Sequence, residues 1–307
     1  MMNKNSVSRL LGSGTKRAYL ELHLAVLLFG FTAILGDLIQ MSALMIVWWR
    51  VLLTSLSLVF LIGLVRMFRE IPFVTILQFM GIGVIVALHW LTFYGAIKLS
   101  NASICLVALA TTSFFTSLLE PLIMQQRVKY YEIGLGIFIV PGIFLVVNGA
   151  EIAVVTGLSL GLLSAFLASL FSTLNKKLIC KSDSLRITFL ELGSACLFLS
   201  MVIPFYYRYS GEQLDIIPTA VDFGYLLVLS LLCTTLAYVL ALRSLRHLPA
   251  FASNLTINLE PVYGIVLAWL ILGDDQELNP KFYLGVFVIM SAVFSYPLLR
   301  RYFERGN

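Results

Sequence analysis

Ten apolar runs, each near the length needed to cross a bilayer as a helix, follow one another along this chain with only short loops between them. They lie at about 18–39, 42–65, 72–98, 102–124, 130–149, 156–179, 185–207, 222–244, 250–272 and 280–299. A helix rises about 1.5 Å per residue and a hydrocarbon core is about 30 Å thick, so roughly 20 apolar residues span it. The chain is 60% hydrophobic and 12% charged, with a mean hydropathy of +0.95, too few polar residues to coat a water-soluble domain. Lipid offers no partner for backbone amides, so a chain of such runs must be helical. The expected fold class is therefore an all-α membrane protein with ten transmembrane helices. The first run is long and lacks a small-residue cleavage site, and is read as helix 1 rather than a removed leader.

Basic residues orient the helices, because lysine and arginine concentrate in cytoplasmic loops. With the N-terminus inside, seventeen of the 21 lysines and arginines fall on the cytoplasmic side. Three (Lys98, Arg208, Lys281) fall outside, and Arg50 lies within helix 2. Both termini are expected in the cytoplasm of a cell with the protein in its inner membrane. The net charge of +5 then reflects topology and gives no reason to expect nucleic-acid binding. Cys105, Cys196 and Cys233 lie in apolar runs, Cys180 in a loop, and no C-x-x-C occurs; neither a disulfide framework nor a metal site is indicated.

Ten helices divide into five and five, and an odd number per half makes the second half enter the membrane upside down. The halves superpose with slowly growing offsets: helix 1 with helix 6 at 140, helix 2 with helix 7 at 141, and helices 3 and 4 with helices 8 and 9 at 148. Two inverted five-helix repeats are expected, at 1–149 and 150–307. Such repeats place a binding site near the midplane between them.

The stretch from Pro249 to Asp275 holds the group of greatest interest. Glu260 is ten residues in from Ala250, roughly 15 Å deep at 1.5 Å per residue. A carboxylate there is costly and marks a substrate or ion pathway, or a buried pair. Pro261 follows it; proline lacks an N–H and opposes the carbonyl of Ile257, so the helix is expected to open beside the charge. Ser253, Thr256, Glu260 and Tyr263 are spaced to share a face. Asn258 lies among them, and the repeat mate of Glu260 is Thr112 in helix 4.

Other polar groups lie in the apolar runs. Arg50 and His89 are at matching depth toward the external side, and Glu191 is the repeat mate of Arg50; structural pairing and substrate contact both fit Arg50 and Glu191. Trp90 and Tyr94 are i, i+4, and Tyr238 is the mate of Trp90, an arrangement suited to packing or to a cavity wall. Ser164, Ala168, Ser172 and Asn175 form a stripe of helix 6 that allows close helix approach or lines a polar cavity. Glu120-Pro121 resembles Glu260-Pro261 but is spaced 140 from it rather than 148. That places Glu120 near the cytoplasmic edge, with a rim or structural role beside Arg127 or a place in the pathway.

The segment NLEPVYGIVLAWLILGD, Asn258 to Asp274, is similar to the helix 9 pattern of the drug/metabolite transporter superfamily, in its ten-helix EamA-type branch: Leu-Glu-Pro, an apolar stretch, then Leu-Gly-Glu. Asp274 stands where Glu is usual. In helix 4, Thr112-Ser113 stands where Ser-Pro is common and Gln125-Gln126-Arg127 where Gly-Glu-Arg is. The resemblance covers essentially the whole chain. It implies a secondary transporter exporting a small organic metabolite such as an amino acid, nucleoside or drug-like compound by alternating access. Helices 1, 3, 4, 6, 8 and 9 would line its cavity.

Two other classes are weighed. Gly157-Leu-Ser159-Leu-Gly161 matches G-x-S-x-G, which activates serine only on a strand-to-helix turn with a histidine in reach; here it opens a helix, where glycines at i, i+4 serve close packing. No P-loop, H-E-x-x-H or dinucleotide fingerprint occurs, so no enzyme and no cofactor is expected. A structural membrane protein is the remaining class. The expected partners are a small-molecule substrate, the lipid bilayer and, as a candidate coupling ion, the proton; a monomer suffices. The candidate binding or coupling residues are Glu260, Asn258, Thr256, Ser253, Tyr263, Thr112, Trp90, His89, Tyr238 and Arg50.

Overall fold

The computed structural model describes residues 4–100, 102–147, 152–210, 215–260, 262–264, 267 and 280–304, and these are helical with short connections. The helices are α1 (Lys4–Leu38), α2 (Ala43–Val59), α3 (Leu64–Glu70), α4 (Phe73–Leu99), α5 (Ala102–Leu109), α6 (Thr112–Met124) and α7 (Tyr130–Val147). They continue with α8 (Ile152–Leu178), α9 (Ser184–Ser210), α10 (Ala220–Ser230), α11 (Ala237–Leu245) and α12 (Ala250–Ile257). The last, α13, is Pro280–Glu304. Among the described residues five stretches are long and apolar enough to cross a membrane: Gly14–Leu38, Phe73–Leu99, Val155–Lys181, Ser184–Tyr209 and Ala220–Leu245. The last joins α10 and α11 through a π-helical turn at Leu231–Leu236.

Three expected helices are interrupted. The run at 42–65 is two helices, α2 and α3, bent by 91°. The chain turns between Val59 and Leu64, so that α3, which carries the charged Arg66, Arg69 and Glu70, leaves the line of the apolar α2. Glu70 then pairs with Arg66 at 2.5 Å and with Arg186 at 2.7 Å, tying α3 to the start of α9. The run at 102–124 breaks at Ala110 and Thr111 between α5 and α6. The run from 250 breaks at Asn258 and Leu259, after α12. Pro261 and residues 268–279, including Asp274, lie outside the described residues.

The bundle is built around α4, which packs against α8 on one side and α9 on the other; α1 lies along α11, α2 along α9, and α7 along α13. Leu20, Phe60, Leu122, Met201 and Leu298 are among the many exposed apolar side chains, while Thr54, Ser113, Thr116, Asn175 and Glu191 are buried. That is the distribution of a bundle with lipid outside and a polar interior. Close approach explains Gly83: a Cβ there would collide with the Glu191 carbonyl and the Ser194 hydroxyl of α9. The glycines of G-x-S-x-G behave similarly, Gly157 lying against Ser100 and Gly161 against Ala108. Ser159 between them donates to its own helix at the Val155 carbonyl, 2.9 Å.

The end of α6 carries a local strain. Gln125, where the EamA pattern has glycine, is left-handed at φ 55°, and it is the one positive-φ non-glycine among the described residues. Its N–H and that of Gln126 both reach the Pro121 carbonyl, closing the helix as glycine would without the Cβ penalty. Gln125→Gly is expected to stabilise the protein by about 1 kcal/mol, read as a higher Tm in detergent; an unchanged or lower Tm would show that the glutamine side chain offsets its strain.

Candidate functional site

A cavity of about 120 Å³ lies at the centre of the bundle, reached by side chains from α1, α2, α4, α5, α6, α8, α11 and α12. Eight of the ten residues singled out in the sequence line it: Arg50, His89, Trp90, Thr112, Tyr238, Ser253, Asn258 and Glu260. Its wall is aromatic. Phe171 stands between His89, at 5.3 Å between ring centroids, and Tyr238, at 6.4 Å; Tyr238 meets Trp90 edge to face at 6.3 Å.

Arg50 is 1% exposed. Its guanidinium lies 4.0 Å above the Trp90 ring. It donates from Nε to Thr234 Oγ1 at 2.5 Å and from Nη1 to Tyr94 Oη at 3.0 Å, with a longer contact of 3.4 Å from Nη2 to the Cys233 carbonyl. Among the described residues no carboxylate lies within ion-pair distance of it, so a buried cation rests on a ring face and neutral acceptors. Two of the three acceptors, Thr234 and Cys233, come from the π-turn, and Tyr94 comes from α4. Widening the turn frees carbonyls from the regular ladder, and hydroxyls take up part of the slack: Thr234 donates to Leu229 and Thr235 to Ser230, each five residues back. On α2, Arg50, Thr54 and Ser57 share a face; Arg50 and Ser57 bond to this turn and Thr54 to the Ser230 carbonyl just before it.

Glu191, the offset mate of Arg50, is fully buried. Its Oε2 accepts from Tyr238 Oη at 2.5 Å and Asn175 Nδ2 at 3.2 Å, while Oε1 has no partner. Thr32 Oγ1 and Asn175 Oδ1, both on residues lining the cavity, are also without partners. Buried polar atoms without a protein partner beside a cavity are free to bond with what occupies it. His89 Nδ1 is 2.8 Å from Ser164 Oγ and 2.9 Å from the Ser164 carbonyl, and Ser164 Oγ donates back to the His89 carbonyl. The network closes when Nδ1 carries the proton, which leaves Nε2 an acceptor.

The two helix interruptions meet. Asn258, in the turn after α12, donates through Nδ2 to the carbonyl of Ala110, in the turn before α6, and to Ser113 Oγ, both at 2.9 Å. Ala110 and Asn258 are 148 apart in sequence, as are Trp90 and Tyr238. One helical turn earlier, Asn254 donates to Thr116 Oγ1 and Ser172 Oγ, each at 2.7 Å. Glu260 follows directly, buried, lining the cavity and within electrostatic reach of Arg50.

Thr256 and Tyr263 correct the expected single stripe. Thr256 donates to the Ala252 carbonyl of its own helix at 2.9 Å, and Tyr263 Oη pairs with His23 Nδ1 at 3.1 Å; neither lines the cavity. The turn at Asn258 and Leu259 resets the helical phase for Tyr263, which follows it, whereas Thr256 shares α12 with Ser253 and has its hydroxyl engaged by its own backbone. Glu120 also has a defined place. Pro249 cannot cap α12 with its side chain, and the two carboxylate oxygens of Glu120 accept from the amides of Ala250 at 3.0 Å and Phe251 at 2.7 Å. It is a helix cap supplied from another helix.

Sequence reasoning missed Asn254, Thr234 and Thr32. Asn254 could have been found, since two asparagines at i, i+4 in an apolar helix signal a buried polar face. The stripe Arg50, Thr54, Ser57 was equally readable. Nothing local marks Thr234, because no sequence spacing announces a π-turn. Among the described residues no three metal-ligating side chains cluster.

The model of the EamA-like transporter family matches this chain twice, over residues 16–148 and 155–296. No curated protein matches it by sequence. Among the solved structures it resembles, one described only as a crystal structure of a protein is 13% identical, covering 95% of this chain and 99% of its own, with a TM-score of 0.70. At that identity the likeness concerns the fold.

Proposed function

Because the chain belongs to the EamA-like transporter family and is thus a multi-pass membrane transporter, we propose that it exports a small organic metabolite across an inner membrane by alternating access. Ten helices form two inverted repeats, 1–149 and 150–307, with the substrate held in the central cavity between them. The observation that carries this reading is the meeting of residues 148 apart: Asn258 with Ala110, and Trp90 with Tyr238. Equivalent positions of two inverted repeats touch only near the axis relating them, and discontinuous helices at that axis are where transporters place their sites. Arg50 and Glu260 face one aromatic-walled space. A cation and a carboxylate there suit a substrate bearing both charges on an apolar body, which favours amino-acid-like compounds over nucleosides.

A thermal-shift screen of the purified protein against metabolites tests this. Zwitterionic compounds are expected to raise Tm, and to do so less in Glu260→Gln; hits confined to uncharged compounds would overturn the substrate class. Orientation has its own test. Cys180 is exposed in a loop on the side read as cytoplasmic, so a membrane-impermeant maleimide should label it in inverted vesicles and not in intact cells. A cysteine introduced at Asp215 in a Cys180→Ser background should do the opposite. Labelling of Cys180 from outside would reverse the topology.

A further inference from the structure

A second cavity, separate from the central one and about 250 Å³ in volume, lies where the ends of α6, α8, α11 and α13 and the starts of α7 and α12 gather. Arg127 and Lys129 from the α6–α7 connection, Lys176 from α8 and Arg300 from α13 converge on it, against two carboxylates, Glu120 and Glu132. Both carboxylates are engaged. Glu120 caps α12 through two amides, and Glu132 faces Lys129 at 3.5 Å. Lys176 gives one N–H to the Leu245 carbonyl at 2.7 Å, which leaves two of its three donors. Among the described residues Arg127 has no hydrogen-bond or ion-pair partner. Four cations against two carboxylates that are already engaged leave the concavity with an excess of positive charge that a further anion would relieve, and an arginine fork with lysine point charges is the set that grips a phosphate.

Exposed apolar side chains adjoin lining residues in sequence: Leu122 follows Pro121, Tyr130 follows Lys129 and Tyr302 is two residues after Arg300, and they are 74%, 84% and 77% exposed. A soluble anion has no use for such neighbours, whereas a phospholipid needs them for the beginning of its acyl chains. Basic pockets between helix ends on the positive side of a membrane protein hold anionic headgroups in this way. We propose that this cavity binds the phosphate group of an anionic phospholipid, joining the end of α13 to α6, α7 and the capped start of α12. Since α12 carries Asn254 and leads to Asn258 and Glu260, the occupied site braces one end of the element that reaches the central cavity.

The test is thermal unfolding in phosphatidylcholine nanodiscs containing increasing phosphatidylglycerol. Tm is expected to rise by several degrees for the wild type, and Arg127→Gln with Arg300→Gln should lose at least half of that rise. Arg66→Gln with Arg69→Gln, which removes basic charge elsewhere on the same side, should keep it. If the double variant does not fold, Arg127→Gln alone, an exposed residue without a partner, serves, with a smaller loss expected. Inorganic phosphate or glycerol phosphate added in detergent forms the second arm. Stabilisation there that Arg127→Gln abolishes, with none from phosphatidylglycerol, would keep the phosphate site and overturn the lipid as its source. Equal rises with phosphatidylglycerol in all variants, or no rise in any condition, would overturn the proposal.

Discussion

Glu260→Gln is expected to reduce efflux from proteoliposomes at least about tenfold, equivalent to about 1.4 kcal/mol, while leaving the unfolding temperature within a few degrees of wild type. Glutamine keeps the shape and hydrogen-bonding capacity of the side chain but neither ionises nor carries a proton. Glu260 is 7% exposed, lines the central cavity and follows the turn at which Asn258 joins Ala110, so its loss is felt by what occupies the cavity. Glu120→Gln should behave in the opposite way. Its two bonds to the amides of Ala250 and Phe251 are charge-assisted, and weakening them should cost about 1–2 kcal/mol of stability with a smaller effect on transport. Assay with and without a pH gradient separates two roles for Glu260. If it carries a coupling proton, the variant still exchanges substrate but ignores the gradient; if it binds a substrate cation, affinity itself falls. Wild-type rates under both conditions would make Glu260 structural.

Arg50→Lys should be the most damaging conservative substitution in the protein. Lysine preserves the charge but not the plane, and one ammonium cannot hold Thr234 and Tyr94 together while stacking on Trp90. Losing one charged hydrogen bond and the ring contact is expected to cost about 2–4 kcal/mol. Because the π-turn leans on Arg50, Tyr238 and Leu242 beyond it should shift as well, and the response of Tm to metabolites should vanish. Thr234→Val is the control, since it removes one acceptor and leaves the guanidinium on Trp90; it should destabilise less and retain a metabolite response. Arg50→Lys with wild-type stability and wild-type response would show that neither the fork nor the ring contact matters.

The membrane class, the family and most of the cavity residues were legible from the sequence for a common reason. Transfer of each residue into lipid is nearly additive along the chain, so run lengths reveal helices without knowledge of their neighbours. An ionisable group too costly to bury idly, such as Glu260 or Arg50, reveals itself in the same way. The offset of 148 made Tyr238 the counterpart of Trp90, and only the structure shows that these two rings meet and that Asn258 reaches Ala110 at the same offset.

What only the tertiary structure decided was phase and partnership. Periodicity assumes an unbroken helix, and each residue in a helix turns the next side chain by about 100°. After the turn at Asn258 and Leu259, Glu260 reaches the cavity and Tyr263 meets His23 instead, while within α12 Ser253 reaches the cavity and Thr256 bonds back to Ala252; the π-turn at Leu231–Leu236 likewise presents Thr234 to Arg50. Glu120 could be placed near the membrane edge by counting, but its role as the cap of α12 depends on a helix 130 residues away in sequence. Burial and depth are written in the chain one residue at a time, whereas the direction of a side chain and the group it meets are set by how interrupted helices pack against one another.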